Sequence, residues 1–324
     1  MKIGEILTFK DIMNDNSLPP KPIIKDGILL DKTILAVIGP AKTKKTFLCM
    51  NFANAIASGG SFAGFEVSGT NKVMYLCAEG GYFPNRDRIK IIAKDLDEQM
   101  LESVIFPKYV NLTLNNPEDY SLLKDLISEH SPRVLIIDPF IRFHDVDENS
   151  SNCISGIFKL FRELIEMYSI SIILVHHAGK DPSRGGRGSS VITGEYDSAI
   201  YLTKKTGYTK LAFDMRHVET PDNRYISFNS ETFTFECTDS SSDPVFEYIE
   251  NNGNVNQTEL IKYWVQNDTY SQSHAYRMVK KSVSHGLVKS DDGYLYIEDD
   301  EKDTEGMNPL TDKEKEKEKQ NNDK

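Results

Sequence analysis

From residue 33 onward the chain alternates between short apolar runs and longer stretches whose apolar residues fall on one helical face. Runs of strand length occupy residues 33–38 (TILAVI), 73–78 (VMYLCA), 134–138 (VLIID) and 170–175 (ISIILV). Helical stretches cover 46–58, 82–95, 121–130 and 155–168. Strands that are apolar at nearly every position are buried on both faces, so the pattern predicts a parallel sheet with helices above and below it. After His177 the texture changes. Residues 198–203, 210–215, 225–229 and 232–236 predict short strands joined by turns, extending the sheet antiparallel. The expected fold class is α/β: a mostly parallel twisted sheet with helices on both faces.

A Ser/Asp cluster at 239–243 interrupts the pattern and reads as a linker. Beyond it come helices at 244–251, 257–267 and 271–285, then strands at 287–289 and 294–298 around Asp291-Asp292-Gly293. That order predicts a small C-terminal winged helix-turn-helix. The expected divisions are a lead-in at 1–30, a core at 31–238, the winged helix at 239–298, and a charged tail at 299–324 too polar to order itself.

Composition narrows the class. The 324 residues carry 38 Lys+Arg against 49 Asp+Glu, a net charge of −11, which disfavours non-specific coating of duplex DNA. No apolar run approaches the ~18 residues of a spanning helix, so no membrane partner is expected. The N-terminus has no apolar targeting core. Four separated cysteines (Cys49, Cys77, Cys153, Cys237) argue against a zinc or disulfide framework and for a reducing, cytoplasmic setting.

The most informative segment is Gly39-Pro40-Ala41-Lys42-Thr43-Lys44-Lys45-Thr46, between the first strand and the first core helix, with Phe47 following. It fits G-x-x-x-x-G-K-[ST] except that Lys44 stands where the second glycine belongs. In such a loop consecutive backbone N–H groups and a helix N-terminus point at phosphates. Lys45 would neutralise β/γ charge, and Thr46 would ligate Mg²⁺. A lysine in the sharply bent position costs of order 1 kcal/mol, so the loop can bind normally, bind more weakly, or bind without turnover. The plain alternative is a basic surface turn.

Other strand ends supply matching chemistry. Asp138 ends an apolar strand and would hold Mg²⁺ through its water shell. Glu79 follows the strand at 73–78 and could polarise an attacking water; otherwise it is a loop acid. His176-His177 ends the fourth strand. Alternation sends the two side chains to opposite faces, with His177 the phosphate sensor and His176 packed. The loop at 179–190 is glycine-rich and basic, and Lys180, Arg184 and Arg187 could track a nucleic acid backbone; otherwise its charges are solvated.

Over residues 23–236 the chain resembles the RecA-like P-loop ATPases, and within them the RepA-type hexameric replicative helicases of plasmids and related phage and mobile-element ATPases. The resemblance rests on the P-loop, the Tyr75-Leu-Cys-Ala-Glu79 strand end, the D-x-x-x-R-F-H stretch from Asp138 with Glu148-Asn149, and the HHA-x-K…RGSS stretch from His176 to Ser190. It implies ATP and Mg²⁺ between subunits of a homo-oligomeric ring and single-stranded DNA on central loops. It implies Glu79 as catalytic carboxylate, Asp138 as metal acid and His177 as sensor. Asp197 stands in a segment where RepA-type proteins can carry an arginine finger. Arg216 is the first choice for that finger, with Arg184 and Arg187 behind it.

In the C-terminal module, Ala275, Met278, Val279 and Val283 are expected to form the buried face of a recognition helix. Tyr276, Arg277, Lys280, Lys281 and His285 would point outward, suited to DNA; protein contact is the alternative. The expected function is an ATP-driven DNA motor, a replicative helicase of a mobile element, with a primase or other replication protein as partner. The alternatives are an ATP-binding oligomeric regulator or helicase loader without unwinding, and a DNA-binding transcription or partition factor.

Overall fold

A computed structural model describes residues 4–148, 150–177, 190–205, 208–238, 244–267, 269–284 and 287–296. The chain forms two compact units, Met1–Ser240 and Ser241–Lys324. In the first, the elements run α1 (Phe9–Asn14), β1 (Ile34–Gly39), α2 (Lys45–Ser58), β2 (Ser61–Phe62), β3 (Phe65–Glu66), β4 (Val73–Cys77), α3 (Tyr82–Ile92), α4 (Glu98–Glu102) and β5 (Val104–Ile105). There follow α5 (Pro117–His130), β6 (Val134–Asp138), a 3₁₀ turn (Phe140–Arg142), α6 (Ser151–Tyr168), β7 (Ser171–His177), α7 (Ser190–Glu195), β8 (Ser198–Lys205), β9 (Tyr208–Met215), β10 (Arg224–Phe228) and β11 (Phe235–Cys237).

One nine-stranded sheet, in the order β11-β10-β9-β8-β1-β7-β6-β4-β5, organises this unit. Its strands from β8 to β5 are parallel. The expected antiparallel extension begins only at β9, because β8 pairs parallel with β1 before the chain turns back. Side-chain alternation divides the core. Leu35, Val37, Tyr75, Ile136 and Ile173 pack on one face with Leu48, Phe52 and Ile56 of α2. Ile34, Ala36, Leu76, Ile137 and Ile172 pack on the other with Leu123 and Ile127 of α5 and Ile157, Phe161 and Leu164 of α6. Two covered faces are what strands without polar alternation require.

The helices start where their capping chemistry allows. α5 begins at Pro117 rather than residue 121, because the Asn116 side chain accepts from the N–H groups of Glu118 and Asp119 and proline is tolerated in the first turn. α6 begins at Ser151, one turn before the expected 155. The short elements α1, α4, β5 and the β2–β3 hairpin are too brief to show a period in the sequence.

The second unit holds α8 (Pro244–Asn252), β12 (Val255–Asn256), α9 (Gln257–Gln266), α10 (Gln272–Ser284), β13 (Val288–Lys289) and β14 (Tyr294–Tyr296). The strands form an antiparallel sheet in the order β12-β14-β13. Val245, Phe246, Leu260, Trp264, Ala275, Val279 and Leu295 make its core, with Met278 against it. Val283 corrects the expected buried face: it is 37% exposed, while Ser282 is fully buried. At 3.6 residues per turn, position 282 returns to within about 20° of Ala275 and position 283 stands about 80° away. The tail at 299–324, with the disorder expected of it, lies outside the described residues, as do positions 297 and 298 of the last expected strand. No helix among the described residues is long and apolar enough to cross a membrane.

Asp197 ties the first unit together. Its Oδ2 accepts from the backbone N–H of Ile34 at 2.8 Å and from Arg162 Nη1 of α6 at 2.9 Å. Its Oδ1 lies 3.2 Å from His217 Nε2. The segment that resembles a finger position is therefore a structural bracket at the start of β1. Burial pushes this carboxyl up, but Arg162, the Ile34 N–H and His217 together outweigh it and hold it below the usual Asp range. A lowered folded value means the ionised form stabilises the fold above the ordinary Asp titration near pH 4, and that contribution is lost as pH falls through and below it. Asp197→Ala is expected to destabilise the first unit by about 2–4 kcal/mol in denaturant unfolding, because it removes the acceptor of the buried Ile34 N–H and the carboxylate partner of Arg162, which keeps only the Glu195 carbonyl. Asp197→Asn should flatten the acid limb of the stability–pH curve.

Candidate nucleotide-binding site

Parallel strands deliver their carboxyl ends to one edge of the sheet, and that edge carries the candidate chemistry. Gly39 ends β1 in register with His177 of β7, and Cys77 of β4 is in register with Asp138 of β6. Glu79 follows Cys77 by two residues. The phosphate-loop candidates Gly39 to Thr46 and the residues Asp138, Glu79 and His177 thus converge on a single edge, although they lie up to 138 positions apart in sequence.

The loop is held by close contacts. A Cβ at Gly39 would stand 2.9 Å from the Leu202 carbonyl oxygen of β8 and 2.9 Å from Thr43 Oγ1, so the first glycine is required by the neighbouring strand. Thr43 Oγ1 donates to the Pro40 carbonyl at 2.9 Å. Lys44 adopts φ 64°, ψ 26°, the left-handed region that explains the usual glycine at this position. Its ammonium sits 3.8 Å from the centroid of the Phe228 ring. Burial and the nearby Lys204 charge push it below the ordinary lysine range.

Lys45 opens α2 and is only 5% exposed. Its Nζ donates to the carbonyls of Gly39 and Pro40, both at 2.7 Å, so the ammonium bridges back over its own loop. Burial lowers its pKa to about 8, against the opposing pull of Asp138, Cys49 and Glu79. Asp138 is almost fully buried. Tyr75 donates its hydroxyl proton to Asp138 Oδ2 at 2.7 Å, and the Thr46 hydroxyl also bonds the carboxylate. Burial holds Asp138 above the usual carboxylate range, and those two hydrogen bonds oppose it. A carboxylate beside a hydroxyl is a hard oxygen donor pair, which suits Mg²⁺ rather than a soft metal. Among the described residues no group of three or more His, Cys, Asp and Glu side chains could hold a metal ion by itself.

Glu79 is solvent-facing, and its Oε1 accepts from Arg142 Nε at 3.2 Å. Asn85 Nδ2 donates to the Glu79 carbonyl at 2.9 Å and fixes the turn after β4. His176 is buried, and His177, at the very end of β7, is half-buried, with alternation placing their side chains on opposite faces. His176 Nδ1 lies 3.9 Å from Glu148 Oε1, and His144 Nε2 lies 3.8 Å from the same oxygen.

Arg216 lies elsewhere. Met215 is in register with Ser198, so Arg216 stands at the opposite edge of the sheet from the P-loop, where its guanidinium donates to the Gly194 carbonyl. Within one chain it does not reach the loop. Lys180, Arg184 and Arg187 lie outside the described residues, as do His285 and the side chain of Lys281. Tyr276, Arg277 and Lys280 are on α10, with Tyr276 46% exposed.

Three residues without an expected role border the site: Tyr75, Arg142 and Lys204. Tyr75 looks like core in sequence, and only the fold aims its hydroxyl at Asp138. Arg142 follows Asp138 by four residues, which was its one available signal. Lys204 belongs to a β8 end that overshoots the P-loop.

Residues 5–183, more than half of the chain, match the family model described as AAA domain. Among solved structures, the ATPase domain of G40P aligns with a TM-score of 0.49 at 12% sequence identity, over 64% of this chain and 85% of that one.

Two substitutions test the local energetics. Tyr75→Phe removes a donor from a buried carboxylate and should cost about 1–3 kcal/mol in denaturant unfolding. Lys44→Gly relieves about 1 kcal/mol of left-handed strain. It also forfeits about 0.5–1 kcal/mol of cation–π attraction and loosens the unfolded chain. The midpoint of thermal unfolding should therefore move by no more than about 4 °C.

Proposed function

The chain carries a P-loop ATPase domain and belongs to the AAA domain family, and on that basis we propose that it is an ATP-hydrolysing, ring-forming motor of RecA-like architecture that moves single-stranded DNA, as a RepA-type replicative helicase of a mobile element would. The observation that carries the reading is the convergence of Lys45, Thr46, Asp138, Glu79 and His177 at one sheet edge. Each strand ends in a group with a different task toward a bound triphosphate.

In this mechanism the backbone N–H groups of the 39–46 loop and the α2 N-terminus receive the phosphates. Lys45 exchanges the Gly39 and Pro40 carbonyls for phosphate oxygens. Thr46 and Asp138 are the residues that would hold Mg²⁺, which supplies charge neutralisation on the phosphates when bound. Glu79 takes a proton from the attacking water once Arg142 releases its carboxylate. His177, beside Gly39, donates a hydrogen bond to the terminal phosphate and passes its loss to the segment carrying Lys180, Arg184 and Arg187. Arg216 acts only across a subunit boundary, on the site of a neighbouring copy.

Assembly has support in the lead-in. Ile6, Phe9, Met13 and Leu18 are each more than 80% exposed, and α1 buries none of its residues. A bare apolar segment of this kind is ordinarily covered by association. In the second unit, the order of three helices and a small antiparallel sheet supports a winged helix-turn-helix, with Arg277 and Lys280 on its recognition helix.

A second reading is an ATP-binding loader or regulator that grips DNA without unwinding it. The left-handed Lys44 and the carbonyl-bound Lys45 favour slow turnover. ATP hydrolysis should rise when single-stranded DNA is added and should fall at least about 100-fold in Lys45→Ala and in Glu79→Gln. Loss of neither activity nor DNA stimulation in these variants would sink the motor. A strand-displacement assay separates the two readings: the motor unwinds, and the loader hydrolyses without unwinding.

A further inference from the structure

The turn that carries Glu79 is held by one buried amide. Gly80 has φ 80° and Gly81 φ 68°, so two consecutive residues sit in the left-handed region. Glycine enters that region freely and leaves it as freely, and two glycines have no side chains to hold a turn. Glu79, Gly80 and Gly81 are all exposed.

Against them lies Asn85, one turn into α3 and only 2% exposed. Its Nδ2 donates to the Glu79 carbonyl at 2.9 Å and to Cys77 Sγ at 3.4 Å. Its Oδ1 accepts from Arg88 Nη1 at 3.0 Å. Burial pushes the Cys77 thiol up to about 11, so it stays protonated and donates to the same Glu79 carbonyl at 3.3 Å. A carbonyl only accepts and a guanidinium only donates, so the amide has a single workable orientation.

A side chain that donates at one end and accepts at the other is what this position demands. Leucine would fill a similar volume without a polar group to desolvate, and aspartate would set a carboxylate against the Glu79 carbonyl. Packing alone would favour leucine; what the amide adds is a fixed place for that carbonyl. The fit is close, since a Cβ at Gly80 would stand 3.1 Å from Asn85 Oδ1.

The amide also reaches a second element. Arg88 places its guanidinium 4.9 Å from the centroid of the Phe47 ring, in the first turn of α2 beside Thr46. Upstream, the Ala78 N–H donates to the Asp138 carbonyl at 2.9 Å. Glu79 thus follows a residue tied to β6 and is itself tied to α3, and through Arg88 to the helix that starts at the phosphate loop.

We propose that Asn85 is a positioning residue for Glu79: its amide fixes the turn from which the carboxylate meets the attacking water, and through Arg88 keeps that turn in register with the first turn of α2. The inference rests on the reading of Glu79 as the base. A displacement of about 1 Å at a reacting group can cost on the order of 100-fold in rate. Phosphate contacts are made elsewhere, by the 39–46 loop, so affinity for the nucleotide does not depend on this amide.

Steady-state ATP hydrolysis, calorimetric binding of a non-hydrolysable ATP analogue and hydrogen exchange over residues 78–84 test the proposal on the full chain. Asn85→Asp keeps the acceptor for Arg88 and removes the donor to Glu79. It should lower kcat at least about tenfold, leave KM and analogue affinity within about threefold, and speed exchange in the 78–84 segment. Gly80→Ala pushes on the same amide from the exposed side and should reproduce that split, which covers the case in which the buried substitution impairs folding. In a Glu79→Gln background, Asn85→Asp should cost less than about twofold further, because the group it positions is already gone. Unchanged kcat in Asn85→Asp and Gly80→Ala, a parallel loss of analogue binding, or full additivity with Glu79→Gln would overturn the role. The reading of Glu79 fails separately, if Glu79→Gln itself leaves kcat unchanged, and the positioning role then falls with it.

Discussion

The turn from β1 into α2 is the constraint on which the rest of the first unit depends. Gly39 is wedged against the Leu202 carbonyl of β8 and paired with His177 of β7, so the chain leaves the sheet between two neighbours with no room for a side chain. From there it must reverse into a helix within five residues, and Lys44 does so in a left-handed conformation. Lys45 then bridges to the Gly39 and Pro40 carbonyls and closes the loop on itself. A loop of this spacing ahead of a helix is the kind that presents consecutive N–H groups to an anion, and this confinement is what the proposed phosphate site relies on.

The opposite edge of the same strand is secured by a different device. Asp197 collects the Ile34 N–H, Arg162 and His217, so the start of β1 is bonded to α6 and to the segment after β9. One end of β1 is thus fixed by an ionised carboxylate and the other by steric confinement. Between them every residue of the strand is buried. This explains how a strained lysine persists in the loop: the cost of about 1 kcal/mol is small against the packing of the strand and helix that flank it.

The charge arrangement at the site edge follows a graded burial. Asp138 is deepest, satisfied by Tyr75 and Thr46. Lys45 is next, held by carbonyls, and Glu79 is outermost, paired with Arg142. A buried carboxylate that needs its donors is suited to a fixed metal position, and an exposed one with an exchangeable arginine is suited to moving a proton.

Much of this was readable along the chain. The all-apolar runs forced strands buried on both faces, the G-x-x-x-x-K-K-T spacing marked the loop, and the acids and histidines at strand ends followed from where those runs stop. Local pattern carries such information because period and run length are properties of neighbouring residues. It could not carry the registry of Gly39 with His177, the hydroxyl of Tyr75 on Asp138, the Arg142 pair on Glu79, or the approach of Phe228 to Lys44. Those contacts join segments tens to almost two hundred positions apart, and their partners are set by strand order and crossover path. Arg216 shows the same limit from the other side, since antiparallel pairing of β9 carries it to the far edge of the sheet. Linear order dictates which groups are offered at strand ends; folding selects which of them meet, because only the closed sheet brings distant strand ends within the few ångströms over which charge and hydrogen bonding act.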